Sequence, residues 1–165
     1  MTKTAVIIDN LLNPDDLKNI QDKVESENTM PTYWYDISQQ HDYFNLCHLL
    51  LITANNHYDL SDVIGYEFWG HKNTRPPGGW HYDKDEIAFH RDGIYKFPVC
   101  SIIYYPVIEN LIGGELILNK DIITPRTNRL IIFKSGVYHY VNEFEGKRYS
   151  LLINPWTHKL TSVSE

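Results

Sequence analysis

The chain has 165 residues, 42% of them hydrophobic, which is enough for one packed core and short for two domains. Its 15 basic and 21 acidic residues give a formal net charge of −6, so the composition argues against a bulk nucleic-acid binder. We therefore expect one domain over residues 1–165, acting on a small molecule, a peptide or a protein.

The expected location is the cytoplasm. No apolar run approaches the about 18 residues of a membrane helix, and the N-terminal apolar run is too short for a secretory signal. The two cysteines, Cys47 and Cys100, lack the close spacing of a thiolate metal site. We expect both to be buried free thiols, as suits a reducing compartment, and we expect no membrane association.

The first 62 residues predict mainly helices. A short apolar strand over residues 5–8 comes first, and Asn13 then supplies an N-cap, followed by Pro14 and two acids, for a helix that runs through Val24. A second helix is predicted over residues 41–55, with an apolar stripe formed by Phe44, Cys47, Leu50, Leu51 and Ala54. Both helices are expected to cover one face of a sheet.

From residue 63 onward, short β-type runs alternate with turn signals. The predicted strands span residues 63–69, 79–83, 99–105, 115–118, 121–124, 129–133, 137–142 and 148–154. Strands that follow helices in this way indicate an α+β protein. We predict a double-stranded β-helix, or jelly roll, over residues 63–156, with residues 1–62 as helical support packed on the major sheet.

The motif His-x-Asp occurs three times, at residues 57–59, 81–83 and 90–92. On a strand its two side chains lie on one face, because strand side chains alternate with period two. A later histidine can then complete a two-histidine, one-carboxylate site with open coordination positions, which is what a non-haem Fe(II) oxygenase requires. At most one copy of the motif can supply the ligand pair.

Local context favours the middle copy. The first copy follows the second predicted helix and indicates a polar helix end. The third follows a turn of helix, where residues two apart point about 200° apart. His81 and Asp83 instead follow the breaker at residues 75–79 and alternate with aromatic residues, which favours a strand. We predict His81 and Asp83 as the ligand pair, with His90 and Asp92 as the rival pair.

Two downstream residues bear on the same site. His139 lies on a predicted strand, and taken alone this position favours a hydrogen-bonded core histidine over a metal ligand. Arg148 shares a strand face with Ser150, and an arginine aimed inward is costly unless it meets an anion. A carboxylate ligand would match its planar guanidinium. The alternative is a surface salt bridge to Glu143 or Glu145.

In its order of motifs the chain resembles the Fe(II)- and 2-oxoglutarate-dependent dioxygenases, particularly the prolyl-4-hydroxylase-like branch. The resemblance rests on His81-x-Asp83, residues 99–105, Gly113-Gly114-Glu115-Leu116, residues 129–133, His139 and Arg148-x-Ser150. It covers roughly residues 63–156. An ungapped match would favour the rival pair, because the segment after Asp83 is longer than in those enzymes.

The resemblance implies three metal ligands, His81, Asp83 and His139. It also implies that Arg148 pairs with the distal carboxylate of 2-oxoglutarate, that Tyr105 and Ser150 donate hydrogen bonds beside it, and that Trp69 lies near the co-substrate pocket. The implied cofactors are Fe(II), 2-oxoglutarate and O2. All of these roles come from the resemblance.

The implied reaction is prolyl-type hydroxylation of an amino-acid residue in a peptide or protein, or of a free amino acid, with decarboxylation of 2-oxoglutarate to succinate. The alternative is a cupin-like metal-binding jelly roll with a 2-oxoglutarate-independent reaction or a non-catalytic binding role. Aromatic residues in the predicted loops 30–40 and 70–79 could wall a substrate groove or serve as ordinary packing.

Overall fold

The computed structural model describes residues 4–28, 30–74 and 79–164. The strands in these ranges are β1 (Ala5–Asp9), β2 (Tyr33–Asp36), β3 (Gly65–Lys72), β4 (Cys100–Gly113), β5 (Leu116–Leu118), β6 (Asp121–Ile123), β7 (Arg129–Lys134), β8 (His139–Val141) and β9 (Phe144–Trp156). The helices are α1 (Pro14–Ser26), α2 (Phe44–Asn55), α3 (Glu86–Asp92) and α4 (Thr161–Ser164).

The strands form two antiparallel sheets that face each other. The major sheet has the order β1-β7-β4-β9-β3-β2, and the minor sheet has the order β6-β5-β8. Between them lies an apolar core to which β4 and β7 contribute Ile103, Ile131 and Phe133, and β5 contributes Leu116 and Leu118. This is the predicted double-stranded β-helix, and its α+β class is confirmed.

The two long helices pack on the outer face of the major sheet. Asn13 begins α1, because its side chain accepts a hydrogen bond from the Asp16 amide at 2.9 Å. Val24 of α1 and Cys47 and Leu50 of α2 are fully buried against this face. The prediction that both helices cover one sheet face is confirmed. No described helix has the length and apolar character needed to cross a membrane.

Several predictions for the strands differ from the structure. The predicted strand 79–83 is reduced to one bridge between His81 and His139, because β8 is short and the chain soon turns into α3. The breaker before it lies mostly outside the described residues. β4 continues eight residues beyond the predicted end at Tyr105, and its register with β9 shifts around Pro106, which has no amide hydrogen to donate. β2 was predicted as a loop.

Asp85 connects the start of α3 to the C-terminal segment. Its carboxylate accepts hydrogen bonds from the Ala88 amide at 3.0 Å and from the amide and hydroxyl of Thr161 at 2.9 Å each. The residue is 3% exposed, so these donors replace solvent. These hydrogen bonds fix the position of the backbone two residues after Asp83.

We expect Asp85→Ala to lower the free energy of unfolding by about 2–3 kcal/mol, because it removes a helix cap and leaves buried amides unpaired. Urea denaturation followed by circular dichroism measures this change. Asp62→Ala, at an exposed loop position, is the control and should change the value little. Equal unfolding midpoints for the two variants would show that the hydrogen bonds of Asp85 do not stabilise the fold.

Candidate metal centre

Three side chains converge where the loop after β3 meets β8. Asp83 Oδ1 lies 3.9 Å from His81 Nε2 and 3.7 Å from His139 Nε2. The two imidazoles are brought together by a pair of backbone hydrogen bonds, of 2.9 Å and 3.0 Å, between His81 and His139. One nitrogen or oxygen atom from each of the three residues lies within 4.8 Å of the others, so a single ion can contact all three.

Each histidine presents a free nitrogen to the centre. His81 Nδ1 lies 2.9 Å from the Gly79 carbonyl, and His139 Nδ1 lies 2.8 Å from the Val137 carbonyl. Since a carbonyl only accepts hydrogen bonds, each Nδ1 carries the proton and leaves the Nε2 lone pair for a metal. Burial lowers the pKa of His139, which favours the neutral, metal-binding form.

The Asp83 carboxylate is oriented by Ser101 of β4, whose hydroxyl donates to Asp83 Oδ2 at 2.6 Å. Oδ1 therefore remains directed toward the histidines. Two imidazoles and one carboxylate, each oriented by a hydrogen bond to its other polar atom, are a donor set that fits a divalent transition metal such as Fe(II).

We expect Ser101→Ala to weaken metal binding about 10- to 100-fold, because the carboxylate loses the group that orients it. Anaerobic titration with Fe(II), or titration with Co(II), gives the dissociation constant. Ser38→Ala, in the exposed loop after β2, should retain the parent affinity. Unchanged affinity in Ser101→Ala would show that Asp83 does not need this partner.

The other two His-x-Asp copies do not form such a group within the described residues. His57 is exposed just beyond the end of α2, as the sequence predicts for a polar helix end. His90 lies on α3 with 75% of its side chain exposed, and its Nε2 is 3.5 Å from Glu86 Oε2. Asp92 accepts a hydrogen bond from Arg91. The structure therefore does not bring the rival pair together.

Arg148 of β9 is buried next to this centre, with 2% of its surface exposed. Its Nε donates to the Gly114 carbonyl at 3.1 Å, and its terminal nitrogens donate to the hydroxyl oxygens of Tyr105 at 3.2 Å and Ser150 at 3.5 Å. All of these acceptors are uncharged. A surface salt bridge, the alternative that the sequence left open, is not observed among the described residues.

The surroundings of Arg148 leave two hydroxyl protons available. Burial raises the pKa of Tyr105, so its hydroxyl stays protonated. Because the Tyr105 and Ser150 oxygens accept from Arg148, their own hydrogens can be donated elsewhere. Gly114 permits the close approach of the arginine, since its φ is +75° and a Cβ there would lie 3.2 Å from Arg148 Cδ. Arg148 and the two hydroxyls are therefore a set of hydrogen-bond donors, and no carboxylate of the described residues forms a hydrogen bond or ion pair with the guanidinium.

The candidate ligands and the arginine line the same cavity between the two sheets. Its wall also contains Trp69 and Ser150, as the resemblance implies, and His71. His71 was not predicted, because the predicted strand ended at Trp69, although period-two alternation places the two residues on one face. Burial and the nearby Arg148 lower the pKa of His71 to about 4, so it is neutral at pH 7.

No protein-family model and no curated protein sequence matches the chain. Several solved structures do match. A prolyl-4-hydroxylase from Pseudomonas putida is 19% identical with a TM-score of 0.64, and the match covers 96% of this chain and 95% of that one.

Two further structures match at similar levels. A viral collagen prolyl hydroxylase from Paramecium bursaria Chlorella virus-1, in complex with 2-oxoglutarate, is 15% identical with a TM-score of 0.61, covering 93% of this chain and 96% of that one. A prolyl hydroxylase from Trichoplax adhaerens, in complex with a hypoxia inducible factor peptide fragment, is 16% identical with a TM-score of 0.61, covering 99% and 88%. The chain thus has the fold of the 2-oxoglutarate- and Fe(II)-dependent oxygenases.

Proposed function

We propose that the chain is an Fe(II)- and 2-oxoglutarate-dependent dioxygenase that hydroxylates its substrate. The observation that carries this proposal is the buried Arg148, whose described hydrogen bonds go only to uncharged oxygens, in the cavity that also contains the three candidate metal ligands. A metal-binding jelly roll that does not use a dicarboxylate has no need of such an arginine. We also propose that residues 1–165 act as one domain, with residues 1–62 as support and 63–156 as the core.

His81, Asp83 and His139 are the proposed ligands of Fe(II). When bound, the iron supplies O2 activation coupled to oxidative decarboxylation of 2-oxoglutarate to succinate. The protein orients the two imidazoles through the Gly79 and Val137 carbonyls, and it orients the carboxylate through Ser101. These contacts hold the donor atoms in place before the metal binds.

Arg148, Tyr105 and Ser150 are proposed to bind the distal carboxylate of 2-oxoglutarate. The guanidinium supplies the positive charge, and the two hydroxyl hydrogens that are not used internally complete the set of donors. Apolar side chains from both sheets, including Ile103, Leu116 and Leu152, line the same cavity and exclude water from the bound co-substrate.

The proposed substrate is an amino-acid residue of prolyl type in a peptide or protein, or a free amino acid. The similar Trichoplax adhaerens structure contains a peptide fragment, which supports the peptide class.

Both cysteines of the chain are buried and free, in keeping with a proposed cytoplasmic location. The acidic net charge of −6 favours partners other than bulk nucleic acid.

Anaerobic mixing of the protein with Fe(II) and 2-oxoglutarate tests the proposal, because a chelated complex gives a visible charge-transfer band. Fully metallated protein that lacks this band would instead be a jelly roll of the cupin-like kind. Succinate release on exposure to air, screened across proline-containing peptides and free amino acids, then identifies the substrate class.

A further inference from the structure

A second cavity, of about 410 Å3, lies near the edge of the major sheet, between β2 and β3 and the segments that follow α1 and precede α2. Its wall is largely aromatic, with Tyr33 and Tyr35 from β2, Phe68 from β3, and Tyr43. Glu27 and Asp42 also line it. We call this space the aromatic cavity.

The aromatic cavity lies on the helix side of the sheet. Tyr33 pairs with Phe68 and Tyr35 pairs with Tyr66 in the β2–β3 ladder, so these side chains share one face. Phe68 and Tyr66 belong to the core under the helices. The side chain of His71, three residues after Phe68, points to the opposite face and lines the metal cavity. The sheet therefore separates the two sites, and Trp69 borders both.

Among the described residues, two carboxylates and no lysine or arginine line the aromatic cavity. The side-chain carboxylates of Glu27 and Asp42 have no ion-pair partner among the described residues. The two nearby lysines direct their ammonium groups to backbone carbonyls, Lys23 to that of Asp42 and Lys72 to those of Val24 and Glu27. The carboxylates at the cavity thus remain unneutralised by direct pairing.

His41 adds an aromatic surface without adding positive charge. Its ring stacks on Tyr35 at a centroid distance of 3.7 Å, and its Nε2 lies 2.7 Å from the Tyr66 hydroxyl. Burial lowers its pKa, so the imidazole is neutral at pH 7. Lys23 places its ammonium 4.9 Å from the centroid of Tyr43, so the rings of Tyr33, Tyr35 and Phe68 are the ones left for a ligand cation.

Tyr43 forms part of the cavity wall and is itself buried. The residue is 7% exposed, and its buried hydroxyl has no hydrogen-bond partner among the described residues.

We propose that the aromatic cavity binds an alkylammonium group, held by the faces of the tyrosine rings and by the carboxylates of Glu27 and Asp42. This site is distinct from the metal centre. Its volume falls within the range of small-ligand pockets, and aromatic rings combined with acidic groups are the established chemistry for recognising organic cations.

Choline and its uncharged isostere 3,3-dimethylbutan-1-ol are the probes, because they share a shape and differ in charge. Isothermal titration calorimetry on the intact protein should give choline at least about tenfold tighter binding than the alcohol. Equal affinities, or no choline binding up to tens of millimolar, would overturn the proposal.

Two variants locate the binding. Tyr33→Leu removes a ring that is 50% exposed, and Glu27→Gln removes one charge with little change of shape. Each should weaken choline binding about threefold or more, whereas Asp62→Asn, an exposed charge elsewhere, should leave it unchanged. If both cavity variants kept the parent affinity for choline, choline would bind elsewhere on the protein. Choline affinity should be the same with and without Fe(II) and 2-oxoglutarate. The choline result is then independent of the proposed oxygenase activity.

Discussion

The His81→Ala variant is expected to lose metal binding, with an affinity reduced more than roughly 100-fold. Removing a hydrogen-bond partner of a ligand typically costs about 10- to 100-fold, and losing the ligand itself costs more. His81 supplies one of the three donor atoms that converge at Asp83, and its backbone bridge to His139 cannot replace its imidazole nitrogen. Anaerobic Fe(II) titration, or Co(II) titration followed by visible absorbance, measures the change.

The matched control is His90→Ala, which removes the histidine of the rival His-x-Asp copy. Three-quarters of the His90 side chain is exposed on α3, and its nearest acidic neighbour is Glu86, not a second metal ligand. Metal affinity should therefore stay within about twofold of the parent value. The reverse pattern, with loss in His90→Ala and retention in His81→Ala, would transfer the metal site to His90 and Asp92.

Signals from neighbouring residues were sufficient to predict those helices and strands whose formation depends on neighbouring residues. The cap at Asn13 and Pro14 predicted the start of α1, and the apolar stripe predicted the buried face of α2. The apolar run of β7 likewise predicted a strand with five buried residues. These features follow from neighbouring residues, so the rest of the chain is not needed to derive them.

Predicting the candidate site required more than signals from neighbouring residues. The segment around His81 was predicted as a strand, yet only one residue of it pairs, and that pairing is with His139. The convergence of the ligands thus depends on a contact across 58 positions of the chain, which no local periodicity contains. The type and order of the residues are what the sequence supplies, and the predicted choice among the three His-x-Asp copies rests on them.

β2 was missed for a related reason. Tyr33, Trp34 and Tyr35 favour strand by type, but the preceding Met30-Pro31 and the polar residues after Asp36 favoured a loop. Its strand state comes from pairing with β3 at the edge of the sheet. The same pairing places Tyr33 and Tyr35 on the helix face, so these aromatics line the aromatic cavity instead of walling the metal site. Trp80, directly after the loop 70–79, stacks on Tyr138.

The Arg148→Met variant is expected to separate stability from co-substrate binding. The parent protein holds this guanidinium buried with uncharged partners, so replacing it with an apolar side chain of similar length should leave the melting temperature unchanged or higher when no ligand is present. The stabilisation by 2-oxoglutarate should disappear. In the Fe(II)-loaded parent under anaerobic conditions, that stabilisation should reach about 2.7 kcal/mol when the ligand is at 100 times its dissociation constant.

Arg129→Met is the control, and its expected effects on stability and on the response to 2-oxoglutarate are the opposite of those of Arg148→Met. Arg129 is also mostly buried, but its guanidinium forms a bidentate pair with Asp9, with distances of 2.6 and 2.8 Å. Breaking this pair should lower the free energy of unfolding by about 1–3 kcal/mol and leave the response to 2-oxoglutarate intact. Two buried arginines of the major sheet, one on β7 and one on β9, would then differ in whether the protein supplies the anion. If Arg148→Met kept the stabilisation by 2-oxoglutarate, the distal carboxylate would have to bind elsewhere, and the arginine would need another reason to be buried.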